Sequence, residues 1–130
     1  MQTLQQRYAK AVYDRIQALL KDYPGGHNKK KRDEYGALAL KLPVLVRQAG
    51  LIQALVFVEA RYRDEHKQRL LNDLAYVLEY ESGSKLREEA QDAPLDKYMY
   101  LTRQVLWALE WFKRFAQAIL KVELTDEAGS

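Results

Sequence analysis

Residues 95–121 read LDKYMYLTRQVLWALEWFKRFAQAILK, and this stretch indicates the fold class. Side chains suited to a core recur in it at alternating spacings of three and four residues, which places them on one face of an α-helix. Pro94 fits the first turn of such a helix because its nitrogen has no hydrogen to satisfy. The stretch therefore predicts a long amphipathic helix. Its core face is formed by Leu95, Tyr98, Thr102, Val105, Leu109, Phe112, Ala116 and Ile119.

A second apolar line, nearly opposite the first, is formed on the same helix by Tyr100, Trp107, Trp111 and Phe115. One face of a small monomer cannot easily bury both lines. Two readings stay open: other helices cover both sides, or the second line is a contact surface. Because aromatic side chains often anchor interfaces, Trp107, Trp111 and Phe115 are candidates for contact with neighbouring subunits.

Upstream of this helix, further helical segments are predicted, and they end at glycine, proline or serine breaks. Residues 51–58, LIQALVFV, are apolar on almost every side, so we expect them at the centre of the bundle. A first helix begins at Thr3 with Gln6 completing a capping box. A second begins near Asp33, and Pro43 either kinks it or begins a new turn. The prediction is an all-α, compact single-domain bundle of about five or six helices over residues 1–121, followed by a flexible acidic tail, 122–130.

The composition of the 130 residues excludes several chemistries. There is no cysteine, which removes disulfides, thiolate metal sites and thiol nucleophiles and is compatible with a reducing, cytoplasmic setting. The amino-terminal residues lack the apolar core of a signal peptide, and no apolar run approaches membrane-spanning length. We expect a soluble protein of the cytoplasm with no membrane partner.

Basic residues are concentrated in the first half of the chain. Residues 1–69 hold 14 Lys and Arg against 7 Asp and Glu, whereas residues 70–130 hold 7 against 11. Such a basic surface attracts polyanions, and cations one helical turn apart suit successive phosphates of a strand. A merely solvated charged surface is the alternative. The candidate phosphate-binding residues are Lys29, Lys30, Lys31, Arg32, Lys41, Arg47, Arg61 and Arg63.

Catalytic and metal-binding patterns are missing from the sequence. The two histidines, His27 and His66, do not stand at zinc-ligand spacing, and no glycine-lysine loop for nucleotide phosphates is present. Carboxylates cluster at Glu88, Glu89 and Asp92, which suits a solvated face better than a two-metal nuclease. We therefore predict a protein that is not an enzyme and has no cofactor, metal or small-molecule substrate.

One long run carries a family resemblance. Residues 35–57, YGALALKLPVLVRQAGLIQALVF, resemble the small helical subunit of the type III-B CRISPR effector, the Cmr complex. The beginning of the chain and residues 100–116 are also similar to that family. The resemblance spans about residues 1 to 120, although residues 61–94 carry no matching motif.

The resemblance implies a subunit without nuclease activity in an RNA-guided antiviral complex. It implies more than one copy, stacked along the guide RNA and the target RNA beside a larger repeated backbone subunit. Lys41 and Arg47 fall within the matching run, so they are the first candidates for phosphate contact, which would be independent of base sequence. A different class of function also stays open: a protein-only helical adaptor that never touches nucleic acid.

Overall fold

The computed structural model describes residues 1–123 and confirms an all-α, compact bundle. Within these residues there are six α-helices and no strand. A 3₁₀ turn, Gly26–Asn28, precedes the second helix, and a π-helical turn, Ala116–Leu120, continues the last one. The helices are α1 Leu4–Asp22, α2 Lys29–Ala49, α3 Leu51–Arg61, α4 Glu65–Val77, α5 Gly83–Asp92 and α6 Leu95–Phe115.

The start of α1 has the predicted capping box. The Gln6 amide donates to the Thr3 hydroxyl at 3.1 Å, and the Thr3 amide donates to the Gln6 side chain at 2.8 Å. These two bonds satisfy amides that have no partner inside the helix. The helix then buries Tyr8, Val12, Ile16 and Leu19 at spacings of three and four.

The centre of the bundle is α2, not the segment 51–58 as predicted. All six residues from Tyr35 to Leu40 are buried, because α2 packs against α3, α4, α6 and the π-helical turn. By contrast, α3 buries one side only, and its Val56 and Phe57 are exposed. Short apolar runs of this kind do not reveal by composition alone which of their sides is covered.

The start of α2 also differs from the prediction. The helix begins at Lys29, four residues before Asp33, and it continues through Pro43. Asp33 lies one turn inside the helix, and its carboxylate forms an ion pair with the Lys29 ammonium at 2.6 Å. Residues 29–32, which were expected to precede the helix, are therefore its first turn.

The core face of α6 is confirmed in its second half, where Val105, Leu109 and Phe112 are fully buried. Leu95 was expected in the core but is 73% exposed. Three-four spacing identifies a face but does not say how far along the helix its neighbours reach.

The chain remains packed just beyond the last turn. Val122 is fully buried, and a Cβ placed on Gly36 would lie 2.5 Å from the Val122 Cγ2 atom. Gly36 thus lets Val122 lie directly on α2. The rest of the predicted acidic tail, residues 124–130, falls outside the described residues. None of the helices within residues 1–123 combines the length and apolar character needed to cross a membrane.

Candidate nucleic-acid interface

The connection between α3 and α4 is held by one side chain, Gln68. Its amide donates to the backbone carbonyls of Val58 at 3.2 Å and Glu59 at 3.4 Å, and to that of Tyr62. Carbonyls at the end of a helix lack partners inside it. The Val58 carbonyl also accepts from the Tyr62 amide at 2.9 Å, so Gln68 adds to that bond and supplies a partner to the carbonyls that follow. As a result, the short segment between Arg61 and Asp64 has a defined backbone position.

Tyr62 is the centre of a cluster of cations and aromatic rings at this connection. The Lys41 ammonium donates to the Tyr62 hydroxyl at 2.9 Å and lies 5.6 Å from the ring centroid, and the Lys67 ammonium lies 5.4 Å from it. The Phe57 ring meets the Tyr62 ring edge-on at 5.9 Å. Cation–π and edge-to-face contacts at these distances are attractive. We call Lys41, Phe57, Arg61, Tyr62, Arg63 and Lys67 the Tyr62 corner.

The Tyr62 corner carries unneutralised positive charge. Arg61 and Arg63 are exposed, and neither has an ion pair within residues 1–123. Lys67 pairs with Asp64 at 3.4 Å. The nearby carboxylate of Glu59 is already occupied by Arg87 at 2.8 Å. Two guanidinium groups of the corner are therefore available to an external anion.

The four cations that begin α2 have different environments. Lys29 is paired with Asp33, and the Arg32 guanidinium donates to the carbonyls of Tyr23 and Gly25, both at 2.7 Å. Lys31 is exposed, with its ammonium 5.6 Å from the Tyr23 ring centroid. Lys30 is exposed and has no ion pair within the described chain. The structure thus leaves Lys30 and Lys31 most open to a ligand.

Lys41 and Arg47 do not share one side of α2. They are six residues apart, which corresponds to roughly 9 Å along the axis and about 120° around it. Lys41 is half-buried beneath Tyr62, whereas Arg47 is exposed in the last turn. Lys41 therefore belongs to the Tyr62 corner, and Arg47 belongs to a separate part of the surface.

A buried ionic centre, which sequence reasoning missed, connects the helices behind this surface. The Tyr35 hydroxyl donates to Asp73 at 2.6 Å, and the guanidinium groups of Arg15 and Arg69 lie 3.8 and 3.5 Å from the same carboxylate. Burial raises the pKa of Asp73, although Tyr35 and both arginines act against that shift. Burial, followed by the nearby Asp73 charge, raises the pKa of Tyr35 well above its ordinary value.

His66 was also missed, because its charged sequence neighbours suggested an exposed site. Its ring is buried, with Nε2 2.7 Å from a carboxylate oxygen of Glu34. This contact fastens the start of α4 to α2. It lies one helical turn from Arg69, whose guanidinium also reaches Asp22 on α1 at 2.8 Å.

The second apolar line of α6 is half-covered by α1. The Trp111 indole donates to the Gln5 side chain at 2.7 Å, and Phe115 packs edge-on against Tyr13 with ring centroids 5.7 Å apart. Trp107, Trp111 and Phe115 are each intermediate in exposure. The intramolecular contacts thus account for part of their surface, and part of each ring still faces solvent.

The carboxylate cluster on α5 is a solvated face. Glu88, Glu89 and Asp92 are exposed, and Glu88 lies 3.5 Å from Lys85. In the portion of the chain that the structure describes, no three His, Asp or Glu side chains are grouped so that they could hold a metal ion.

Comparison with known proteins places this helical bundle among the CRISPR-associated proteins. The family model described as CRISPR-associated protein (Cas_Cmr5) matches residues 4–119. The CRISPR system Cmr subunit Cmr5 of Thermus thermophilus is 49% identical over 121 residues, covering 93% of this chain and 99% of that protein. A crystal structure of a CRISPR-associated Cmr5 family protein from the same organism superposes with a TM-score of 0.80 at 48% identity, covering 94% of this chain and all of the other.

The chain belongs to the Cmr5 family, the small subunits of the type III-B Cmr complex. This result confirms the resemblance of residues 35–57 and shows that it extends through the middle segment, 61–94, where the sequence offered no matching motif.

Proposed function

We propose that this subunit binds the RNA of the Cmr complex through phosphates, without reading base sequence and without catalysing a reaction. Several copies lie along the guide RNA and the target RNA, and the complex acts in the cytoplasm against invading nucleic acid. The observation that supports this proposal most directly is the Tyr62 corner, where Arg61 and Arg63 are exposed beside Lys41 and Lys67.

Arginine is well suited to this role because its planar guanidinium presents paired donors to phosphate oxygens. Arg61 and Arg63 flank a tyrosine whose position is fixed by two lysines, so little ordering is needed on binding. Lys30, Lys31 and Arg47 add further exposed charge on α2, outside the corner. Lys29 and Arg32 have partners within the protein, so we assign them a weaker, indirect part in attracting RNA.

The aromatic line of α6 is proposed to contact neighbouring subunits. Trp111 and Phe115 are held against α1, and Trp107 meets the Tyr100 ring of its own helix. All three keep part of their ring surface in solvent, as interface anchors do. In this arrangement one surface of the subunit meets RNA and another meets protein. Substitutions on the two surfaces should therefore have separable effects.

Reconstitution of the complex with a guide and a photo-crosslinkable target RNA tests both assignments. We expect the double substitution R61A/R63A to reduce crosslinking of this subunit severalfold while it still co-purifies with the complex. The matched control, R7A/K10A, removes two exposed cations from α1 and should leave crosslinking unchanged. We expect W111A to reduce co-purification instead.

The opposite pattern would favour a protein-only adaptor. In that case R61A/R63A would leave crosslinking intact, and W111A alone would impair the complex. Equal loss of crosslinking in R61A/R63A and R7A/K10A would mean that overall charge, and not the Tyr62 corner, attracts the RNA.

A further inference from the structure

A partly exposed aromatic side chain lies one helical turn from a guanidinium on α3 that is unpaired within residues 1–123. Phe57 is 40% exposed, and Arg61 follows it by four residues, so both project from neighbouring positions on the same side of the helix. Gln53, four residues before Phe57, is also exposed. The Gln53 amide, the Phe57 ring and the Arg61 guanidinium therefore follow one another along this side of α3, about one turn apart.

The Phe57 ring is positioned by contacts within the protein before any ligand binds. It packs edge-on against Tyr62 at 5.9 Å, and Tyr62 is itself fixed by the hydroxyl contact with Lys41 and by the backbone contacts of Gln68. The exposed ring is therefore positioned by contacts within the protein. A pre-positioned ring loses little conformational freedom when a planar group stacks on it.

We propose that Phe57 stacks on an unpaired RNA base while Arg61 holds the phosphate of the same or the adjacent nucleotide. The inference rests on the proposed RNA contact and deepens it, because it names the ligand as an unpaired or flipped-out nucleotide and not a continuous duplex. Proteins that bind single strands commonly combine a cationic track with such stacking rings. Stacking tolerates any base, so the site keeps the predicted lack of sequence preference.

Fluorescence anisotropy of the full-length chain tests this with two probes, a labelled single-stranded RNA and the same RNA annealed to its complement. Phe57→Leu keeps an apolar side chain but removes the ring, and we expect it to weaken single-strand binding by about fivefold or more, the scale of one base–aromatic stack. Duplex binding should not change, since paired bases are not available to the ring. Phe57→Tyr should retain single-strand affinity.

Two further variants separate this inference from the phosphate contact. R61A should weaken binding to both probes and lower the slope of log Kd against log salt by about 0.7 for the single strand, the value for one lost phosphate contact. V56A alters an equally exposed apolar neighbour and should change neither probe.

The outcomes are distinguishable. If F57L and wild type bind both probes equally while R61A is weaker, stacking is refuted and the phosphate contact stands. If F57L and R61A both bind like wild type, the stacking and the phosphate contact are refuted together. Equal weakening of both probes by F57L would also refute stacking, because the paired bases of a duplex offer no free face to the ring. Thermal unfolding of each variant shows whether F57L folds as wild type does. If it does not, F57M, which also removes the ring and keeps a long apolar side chain, takes its place under the same expectations.

Discussion

The hydroxyl of Tyr35 donates a 2.6 Å hydrogen bond to the carboxylate of Asp73, across 38 residues of sequence. This contact ties the central helix α2 to α4 inside the bundle. Arg15 of α1 and Arg69, one turn earlier on α4, approach the same carboxylate at 3.8 and 3.5 Å. Three helices of the bundle are therefore joined at Asp73.

Replacing Tyr35 with Phe should lower the free energy of unfolding by about 1.5 to 3 kcal/mol at neutral pH, the range for a hydrogen bond to a charged group. The hydroxyl opposes the burial that raises the pKa of Asp73, so its loss raises that pKa further. A carboxyl with a raised folded pKa contributes stability that is present below its unfolded pKa and is lost as pH rises through the folded pKa.

The pKa of Asp73 is raised further in Tyr35→Phe than in wild type, so the variant loses more stability as pH rises. The difference in the free energy of unfolding between the two proteins should therefore shrink as pH falls. Urea unfolding across acidic and neutral pH measures it. A difference that grew toward acid would contradict the assignment of Tyr35 as a donor to the Asp73 carboxylate.

Glu79 lies two residues beyond the last residue of α4 and has a left-handed backbone conformation, with φ 67°. The following amide, that of Tyr80, donates back to the Ala75 carbonyl at 2.8 Å, a helix ending that glycine usually occupies. Glu79→Gly should raise the free energy of unfolding by about 1 kcal/mol, because glycine adopts this conformation without the steric penalty. Glu79→Ala keeps the penalty and should give no gain. Similar midpoints for the two variants in urea would refute the argument.

Gly36 and Val122 should behave as a coupled pair. Gly36→Ala places a methyl group 2.5 Å from Val122, and crowding of this kind costs about 1 to 3 kcal/mol. Shortening the neighbour with Val122→Ala should restore part of that loss in the double variant, which a double-mutant cycle measures. Gly26→Ala, where no atom lies within 4 Å of the new methyl group, serves as the control. Additive effects would mean that the two residues do not meet.

Substitutions of Arg32 and Lys30, two cations of the same run, should differ in their effects: one should lower stability, and the other should weaken RNA binding. Arg32→Ala removes two hydrogen bonds to carbonyls at the end of α1 and should lower the free energy of unfolding by about 1 to 3 kcal/mol. Lys30→Ala should change stability by less than about 0.5 kcal/mol, as surface substitutions do, yet weaken RNA binding. Thermal unfolding and anisotropy on the same two variants check this. Equal stability of the two variants would show that the Arg32 contacts are not structural.

Much of the fold could be predicted from local signals. The Thr3–Gln6 capping box, the break at 24–26 and the stripe Val105–Phe112 depend on nearby residues, and the structure has all three. The identity of the central helix could not be predicted, because α2 and α3 are both apolar and the choice depends on which neighbours cover them. The start of α2 was misplaced because Asp33 resembles a cap, whereas its side chain pairs with Lys29.

The candidate phosphate-binding residues stay a prediction, and their arrangement was not foreseen. Lys41, Arg61 and Arg63 were selected from charge. In the structure the Lys41 ammonium lies on Tyr62, and Arg61 and Arg63 are the residues on either side of Tyr62 in the sequence. Neither Tyr62 nor Phe57 was selected, because their meeting depends on the fold of α2, α3 and α4 together. The local signal at hand was a tyrosine between two arginines at a helix end. His66 gave no local signal, since it stands among charged neighbours. Asp73 was not selected either, although it lies in the largely apolar stretch 70–78.

The central claim is that the Tyr62 corner binds RNA through phosphates, and the salt dependence of affinity tests it most directly. Single-stranded RNA should bind wild type with log Kd linear in log salt, and R61A/R63A should lower the slope by about 1.4, because each lost phosphate contact contributes about 0.7. R7A/K10A should keep the wild-type slope. A wild-type affinity that is flat with salt, or a slope unchanged in R61A/R63A, would contradict the account.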